Sequence, residues 1–339
     1  MPTTIEDVAR QAGVSTATVS RALRGLPNVA PGTRARIIRI AQELNYSIHP
    51  QVSRMVSGRK VIGIIKPLSD LWFYSKFSTT IEFKMISAEF ETVHFLVESL
   101  ENQEALLARL VSNGQVDGLI IISLTLNESQ IEMLYASHLP VITVETSAPP
   151  FPSVSIDNSA AAELATRHLI NLGHKRIGLI GGFADDPWKF QVPHARRDGY
   201  RRALANYAIE LRPEYETLGN FSYMGGAQAM NNLFSLHQPP TAVFAMSDEM
   251  AIGAMKTIHD LNLRIPEDIS IIGFDDNEVS RYFNLTSIRQ PVSQYSEVAA
   301  ELLFKRLSDE QSAANSPTHV TLAPSLVVRA TTGPPGDSR

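Results

Sequence analysis

None of the 339 residues is cysteine. That excludes disulfides, thiolate metal sites and a cysteine nucleophile, and it fits a reducing compartment. No apolar run approaches the ~18 residues of a membrane span. The polar opening MPTTIEDVAR lacks the apolar core of a secretory signal, which points to the cytoplasm. Also missing are the G-x-S-x-G elbow, the Walker A loop and the H-E-x-x-H pair, and IGLIGG falls short of the G-x-G-x-x-G spacing. His168 and His174 flank LINLG with no further His or Cys at ligand spacing, so they read as packing or turn residues. No metal site and no cofactor is expected. The ending TGPPGDSR carries no leucine heptads, so a tetramerising tail is not expected either.

An excess of positive charge is missing overall, with a net of −5, and is found only at one end. Met1 to Lys60 holds nine Lys/Arg against three Asp/Glu, while the remainder holds 21 against 32. A small basic head on a large acidic body suits a nucleic-acid module joined to a domain indifferent to DNA. In the head, Thr4 with Asp7 can cap a first helix bearing Val8, Ala9 and Ala12 on one face. Gly13 supplies a turn, and Ser15 is placed to cap a second helix from Thr16 to about Arg24. This is the helix-turn-helix pattern. A third helix follows Pro31, with an apolar stripe of Ile37, Ile40, Ala41 and Leu44.

On the second helix Val19, Ala22 and Leu23 can face inward, toward Val8, Val14 and Ile37. Thr16, Ala17, Ser20, Arg21 and Arg24 then face outward. Arg21 could present its fork to guanine O6 and N7, and Ala17 could meet a thymine methyl. Ser15, Thr18 and Ser20 carry hydroxyls suited to phosphates, and Thr4 and Thr33 join them as candidates.

The runs TTIEDVARQAGVSTATVSRAL and TRARIIRIAQELNY resemble the headpiece of the LacI/GalR family of bacterial transcription repressors. The match is ungapped through Tyr46, and a weaker resemblance extends to about Thr332. It implies that Thr16, Ala17 and Arg21 read bases. It also implies a hinge helix in HPQVSRMVSG that pairs with a dimer mate and wedges a side chain into the minor groove. Val52, Met55 and Val56 supply one apolar face of such a short helix. Met55 stands at the family's leucine position, Val52 where alanine is usual, and His49 where asparagine is usual. Methionine is an acceptable apolar wedge.

From Val61 onward, short apolar runs alternate with amphipathic stretches. VIGIIK, VHFLVES, VDGLIIIS, PVITVE, RIGLIGG, TAVFAM and ISIIGFDD read as buried parallel strands, and Asn158 as the cap of the helix SAAAELATRHLINLG. Repeated βα units imply doubly wound sheets, and their number implies two α/β lobes. The rhythm changes at APPFPSVSID, and LTSIRQP crosses back. The resemblance makes this a two-lobed periplasmic-binding-protein-like fold. The expected division is residues 1–48 as headpiece, 49–60 as hinge, 61–332 as effector and dimerisation domain, and 333–339 as tail. Lobe 1 takes about 61–157 and 290–320, and lobe 2 about 158–285 and 321–332.

Ligands of open α/β sheets sit at the carboxyl ends of the strands. The aromatic cluster Trp72, Phe73 and Tyr74 follows the first strand, Glu145 ends PVITVE, Ser247 and Asp248 follow TAVFAM, and Asp275 ends ISIIGFDD. Asp248 also has the simpler reading of a helix cap. The resemblance makes Arg196 the ligand-clamping arginine, Asp275 the hydroxyl-binding aspartate and Phe221 the aromatic wall. At Ser247 and Glu145 the sequence departs from the family's usual residues.

Three function classes are open to such a chain. An enzyme acting on a sugar-like ligand lacks a catalytic motif, and a sugar-binding carrier would need export. The expected function is a repressor, a homodimer on a near-palindromic operator in double-stranded DNA. A small effector, sugar-like or a related polyhydroxy compound, would sit between its lobes.

Overall fold

The computed structural model describes residues 4–23, 29–44, 46, 60–69, 71–183, 190–308 and 318–336. The head is three helices, α1 (Ile5–Ala12), α2 (Thr16–Leu23) and α3 (Pro31–Glu43). The Asp7 carboxylate accepts the Thr4 backbone N–H at 3.0 Å, closing the start of α1. Gly13 ends that helix with φ at 65°, a left-handed backbone that costs glycine little. Ser15 Oγ accepts the Thr18 N–H at 3.1 Å, satisfying one of the orphan donors of α2. Val8, Ala9, Ala12, Val19, Ala22, Leu23, Ile37, Ile38, Ile40 and Ala41 bury against one another, with Val14 and Leu44 half-buried at the margin. Arg24, His49, Val52 and Met55 lie outside the described residues.

In the body the chain first builds β1 (Val61–Pro67), α4 (Trp72–Ser87), β2 (Glu91–Val97), α5 (Leu100–Asn113), β3 (Gly118–Ile122), α6 (Glu128–Ala136), β4 (Val141–Val144) and β5 (Ser153–Ile156). It then crosses to a second lobe for α7 (Asn158–Asn171), β6 (Ile177–Gly181), α8 (Val192–Asn206), β7 (Glu216–Leu218), α9 (Tyr223–Phe234), β8 (Ala242–Ala245), α10 (Asp248–Asp260), β9 (Ser270–Asp275) and β10 (Thr286–Arg289). It returns for α11 (Val292–Ser308) and β11 (His319–Leu322), and crosses a third time to β12 (Ser325–Val327).

The first sheet has the order β11-β5-β4-β3-β1-β2, parallel throughout. The second has the order β12-β10-β9-β8-β6-β7, in which β12 alone runs antiparallel. The ladders correct two expected boundaries. Thr286 pairs with Ile272, so the second lobe runs on through Arg289 rather than ending at about 285, and the first resumes at about 290 as expected. Leu322 pairs with Ile156, so the last crossing falls after Leu322 rather than after 320. Both strands are short and half polar, and they exist because a neighbour offers a ladder.

Side-chain alternation splits each strand between two layers. Ile62, Ile64, Ile120, Ile122, Ile142 and Val144 enter a core that continues into the second lobe. Val61, Ile65, Leu119, Ile121 and Val141 pack on the other face with Leu106, Leu107 and Leu134 of α5 and α6. In the second lobe α9 and α10 touch backbone to backbone. A Cβ on Gly253 would stand 1.9 Å from the Tyr223 carbonyl oxygen, so only glycine lets these helices meet. That contact fixes the loops ahead of both helices, where the cleft residues sit.

His174 is buried, its ring bonded to Thr241 Oγ1 at 2.9 Å, Ser270 Oγ at 3.1 Å and the Gly333 carbonyl at 2.8 Å. His168 Nε2 meets Thr332 Oγ1 at 2.9 Å. Both histidines pin the segment after β12 to the second lobe. Among the described residues, no helix is long and apolar enough to cross a membrane.

Candidate functional site: an interlobe cleft and an exposed recognition helix

The cleft gathers residues from the carboxyl ends of strands in both sheets, where the sequence pointed. Leu71, Trp72, Phe73, Tyr74, Ser123 and Glu145 come from the first lobe; Phe190, Val192, Arg196, Phe221, Ser247, Glu249 and Asp275 from the second, with Gln290 on the return crossing. They enclose an inner chamber of about 40 Å³. A wider cleft of about 550 Å³ adjoins it and shares Ser123, Glu145, Phe190 and Val192. Four chamber residues, Ser123, Glu145, Phe221 and Asp275, have φ between 52° and 117°. Left-handed backbone at non-glycine residues is strained and clusters at sites that bind or switch.

The candidates are brought together, but their local roles differ. Arg196 is buried on α8, donating from Nε to Asn158 Oδ1 at 2.9 Å and from Nη1 to the Met246 carbonyl at 2.6 Å. Its guanidinium lies 3.5 Å over the Phe274 ring. Burial pulls its pKa down, while Asp275 and Glu145 push the other way. No ion pair within 4.0 Å joins Arg196 to Asp275 among the described residues. Asp275 instead accepts from Gln290 Nε2. Burial, then the charge of Glu249, raises its carboxyl well above the usual range.

Glu145 has little left to offer a ligand. Its carboxylate accepts from the Tyr295 hydroxyl, from Asn158 Nδ2 at 2.9 Å and from the Ile156 N–H at 3.2 Å. Asn158, expected to cap α7, is a bridge between Glu145 and Arg196. The cap is Asp157, whose Oδ1 accepts the Ala160 N–H at 2.9 Å. Similarly, Ser247 caps α10, accepting the Met250 N–H at 3.3 Å. Asp248, read as a possible cap, instead accepts from Ser287 Oγ at 2.6 Å and from the Asn277 N–H at 2.8 Å, and burial pushes it up to about 7. Phe221 packs on Phe183 with ring centres 5.6 Å apart.

Of the aromatic trio, Tyr74 is buried and Phe73 packs edge-on to Tyr295 at 5.6 Å. Trp72 has a task the sequence did not signal: its indole N–H donates to Glu278 Oε2 at 2.8 Å, across the cleft. Lys76 pairs with the same carboxylate, and this hydrogen bond chiefly holds the Glu278 pKa down to about 2. Together they latch α4 to the second lobe.

Ser123, Glu249, Gln290 and the Asn158 bridge were not among the sequence candidates. Ser123 and Gln290 each follow a strand, and the rule that found Glu145 would have found them. Glu249 was hidden as one more charge in a helix first turn. It is buried, its carboxyl is raised by burial, and the Trp72 backbone N–H and the Ser247 hydroxyl help to oppose that rise.

On the head, Thr16, Ala17 and Arg21 are exposed along α2, opposite buried Val19, Ala22 and Leu23. The Ser15 and Thr18 hydroxyls bond each other at 2.9 Å at the start of that helix. Ser20 and Thr33 are half-buried, and Thr4 is exposed.

Residues 4–49 match the model of bacterial regulatory proteins of the lacI family, and residues 166–332 match that of the periplasmic binding protein-like domain. The HTH-type transcriptional repressor CytR of Escherichia coli (strain K12) is 34% identical over 92% of this chain and 92% of its own. A lac repressor dimer bound to operator and the anti-inducer ONPF superposes with a TM-score of 0.72, at 29% identity, over 98% of this chain and all (100%) of that one. The complex of the transcriptional regulator CelR with cellobiose gives a TM-score of 0.70, at 28% identity, over 97% and 99% of the two chains.

Proposed function

The chain belongs to the LacI family of bacterial regulatory proteins, and on that premise we propose that it is a transcription repressor controlled by a small molecule bound between its lobes. The observation that carries this reading is the exposed face of α2. Thr16, Ala17 and Arg21 are held outward by a buried apolar face, on a helix whose small first residues allow close approach to a major groove. Arg21 would take guanine O6 and N7, Ala17 a thymine methyl, and Thr16 a neighbouring base edge. Ser15, Thr18 and Ser20, with Thr4 and Thr33 near the starts of α1 and α3, would contact phosphates. Val52 and Met55 would form the minor-groove hinge.

Two copies would place their α2 helices in successive major grooves of a near-palindromic operator. Such a homodimer would act in the cytoplasm, where the DNA is. Headpiece 1–48, hinge 49–60 and sensor 61–332 would be its working units. The effector would be a sugar-like polyhydroxy compound held by Trp72, Phe73, Tyr74, Arg196, Phe221 and Asp275, with Glu145 and Ser247 shaping the wall. The aromatic faces support stacking on a ring, and the buried polar groups support hydroxyl recognition.

The mechanism follows from where these groups are anchored. A ligand touching Trp72 on one lobe and Asp275 on the other binds best at one interlobe angle. That angle sets the spacing and order of the hinges leading to the two heads, so ligand and operator affinities are linked reciprocally. Operator titrations at rising effector should therefore show a shift in DNA affinity of about 1–3 kcal/mol, mirrored in effector affinity. Operator and effector affinities that are independent of each other would overturn the proposal.

A further inference from the structure

The inner chamber has acceptors in excess of donors. Ser123 and Gln290 are 2% and 5% exposed, and both line it. Ser123 Oγ and Gln290 Oε1 are buried with no hydrogen-bond partner. The bond from Gln290 Nε2 to Asp275 fixes which way the amide points and leaves its oxygen over. The Glu249 carboxyl and the rest of Asp275 add further acceptors to the same wall. Against them stands Arg196, which gives its Nε–H to Asn158 and one Nη1–H to the Met246 carbonyl, leaving three N–H for a larger number of acceptor lone pairs.

The charge count points the same way. Among the described lining residues Arg196 is the one Lys or Arg, and its single charge is divided among Asp275, Glu145 and Glu249. Lys76, one turn along α4 from Trp72, is paired with Glu278. Asp248 and Tyr223 also face Glu249, and Tyr295 faces Glu145 and Arg196; none of the three adds a positive charge. Burial raises the Glu249 and Asp275 carboxyls, as expected of acids closed in with too little positive charge. The walls are the aromatic faces of Trp72, Phe73, Phe190 and Phe221, which favour a cation. The adjoining wide cleft is lined differently, by the hydroxyl-bearing Thr125, Thr146, Ser147, Ser155 and Ser159 and by Gln191.

We propose that the effector carries a protonated amine, seated in the inner chamber against Glu249 and Asp275, on a hydroxyl-rich body that fills the wider cleft. Its chemical class is an aminated sugar or amino polyol rather than a neutral sugar. The ammonium supplies the donors that Gln290 Oε1, Ser123 Oγ and the two carboxylates lack. This rests on the cleft being the effector site.

The test is calorimetric titration of the full chain near neutral pH with matched pairs: glucosamine and glucose, galactosamine and galactose, mannosamine and mannose. At least one amine should bind at least tenfold more tightly than its hydroxyl twin. Glu249→Gln should shrink the amine-to-hydroxyl affinity ratio toward one, whatever it does to the twin's own affinity, and Asp275→Asn should shrink the same ratio should the first variant fold poorly. A neutral twin that binds as well as its amine, or a preference untouched by both variants, overturns the amine assignment and leaves the polyhydroxy effector standing. Binding by no member of either series overturns both.

Discussion

Arg196→Met removes the guanidinium and keeps most of the aliphatic stem, which makes it a sharp probe of the cleft. The native group makes two charge-assisted hydrogen bonds, at 2.9 and 2.6 Å, and a stack on Phe274 at 3.5 Å. Such bonds contribute about 1.5–3 kcal/mol each and a desolvated cation–π contact about 2 kcal/mol. Relief from burying a cation offsets part of this. The net loss expected is about 3–5 kcal/mol, the range for deleting one member of a buried charged set. The loss should depend on pH. Asp275 already sits above the usual carboxylate range, chiefly from burial, and Arg196 restrains it. Without that cation its folded pKa rises further.

A carboxyl whose folded pKa exceeds its unfolded value stabilises the fold at low pH, and that contribution is lost as pH rises through the folded pKa. The variant's deficit should therefore be smaller at about pH 5 than at about pH 8, because protonation of Asp275 removes its need for a counter-charge, while the share from the lost hydrogen bonds and stack persists at both. Urea unfolding of both proteins at the two pH values, followed by circular dichroism, measures it. A deficit equal at both, or larger in acid, would refute the electrostatic account.

Arg21→Ala should weaken operator binding by about 1–3 kcal/mol and leave random duplex unaffected in fluorescence anisotropy; equal losses on both would reduce Arg21 to a phosphate contact. Glu278→Gln should release both Trp72 and Lys76, so amide exchange in the first turn of α4 should quicken; unchanged exchange would mean the latch holds nothing. Burial lowers the His174 pKa, so its contribution is present above the unfolded value of about 6.5 and is lost as pH falls below that and through the lower folded pKa. Protection factors in the segment after β12, corrected for the intrinsic slowing of exchange in acid, should fall as pH drops below about 6.5, and pH-independent protection there would contradict the assignment.

Much of this architecture can be read along the chain, because periodicity is a local property. GLIII in β3 is wholly buried, and its composition alone announces a central parallel strand. The three residues of β7, Glu216, Thr217 and Leu218, announce nothing, since an edge strand of that length is made by its neighbour β6. The site divides in the same way. Asp275 and Phe221 were legible from strand ends and resemblance. Asn158 was misread because a helix N-terminus explains an asparagine fully, and only the approach of Glu145 and Arg196 from two lobes reveals the bridge. Trp72 and Glu278 lie 206 positions apart, and no spacing rule connects them.

The three crossings have a consequence for biosynthesis. The first sheet lacks an edge until His319–Leu322 is made, and the second until Ser325–Val327 follows. The head, by contrast, has its core in hand once Tyr46 is made. At ribosomal speeds of about 5–20 residues per second, roughly 15–55 s separate these moments. For that interval the nascent chain carries a reading head and an unfinished receiver. Premature termination anywhere in the body would thus release a head without a sensor, and premature-stop alleles should behave as losses of induction or of binding rather than as weakened receptors.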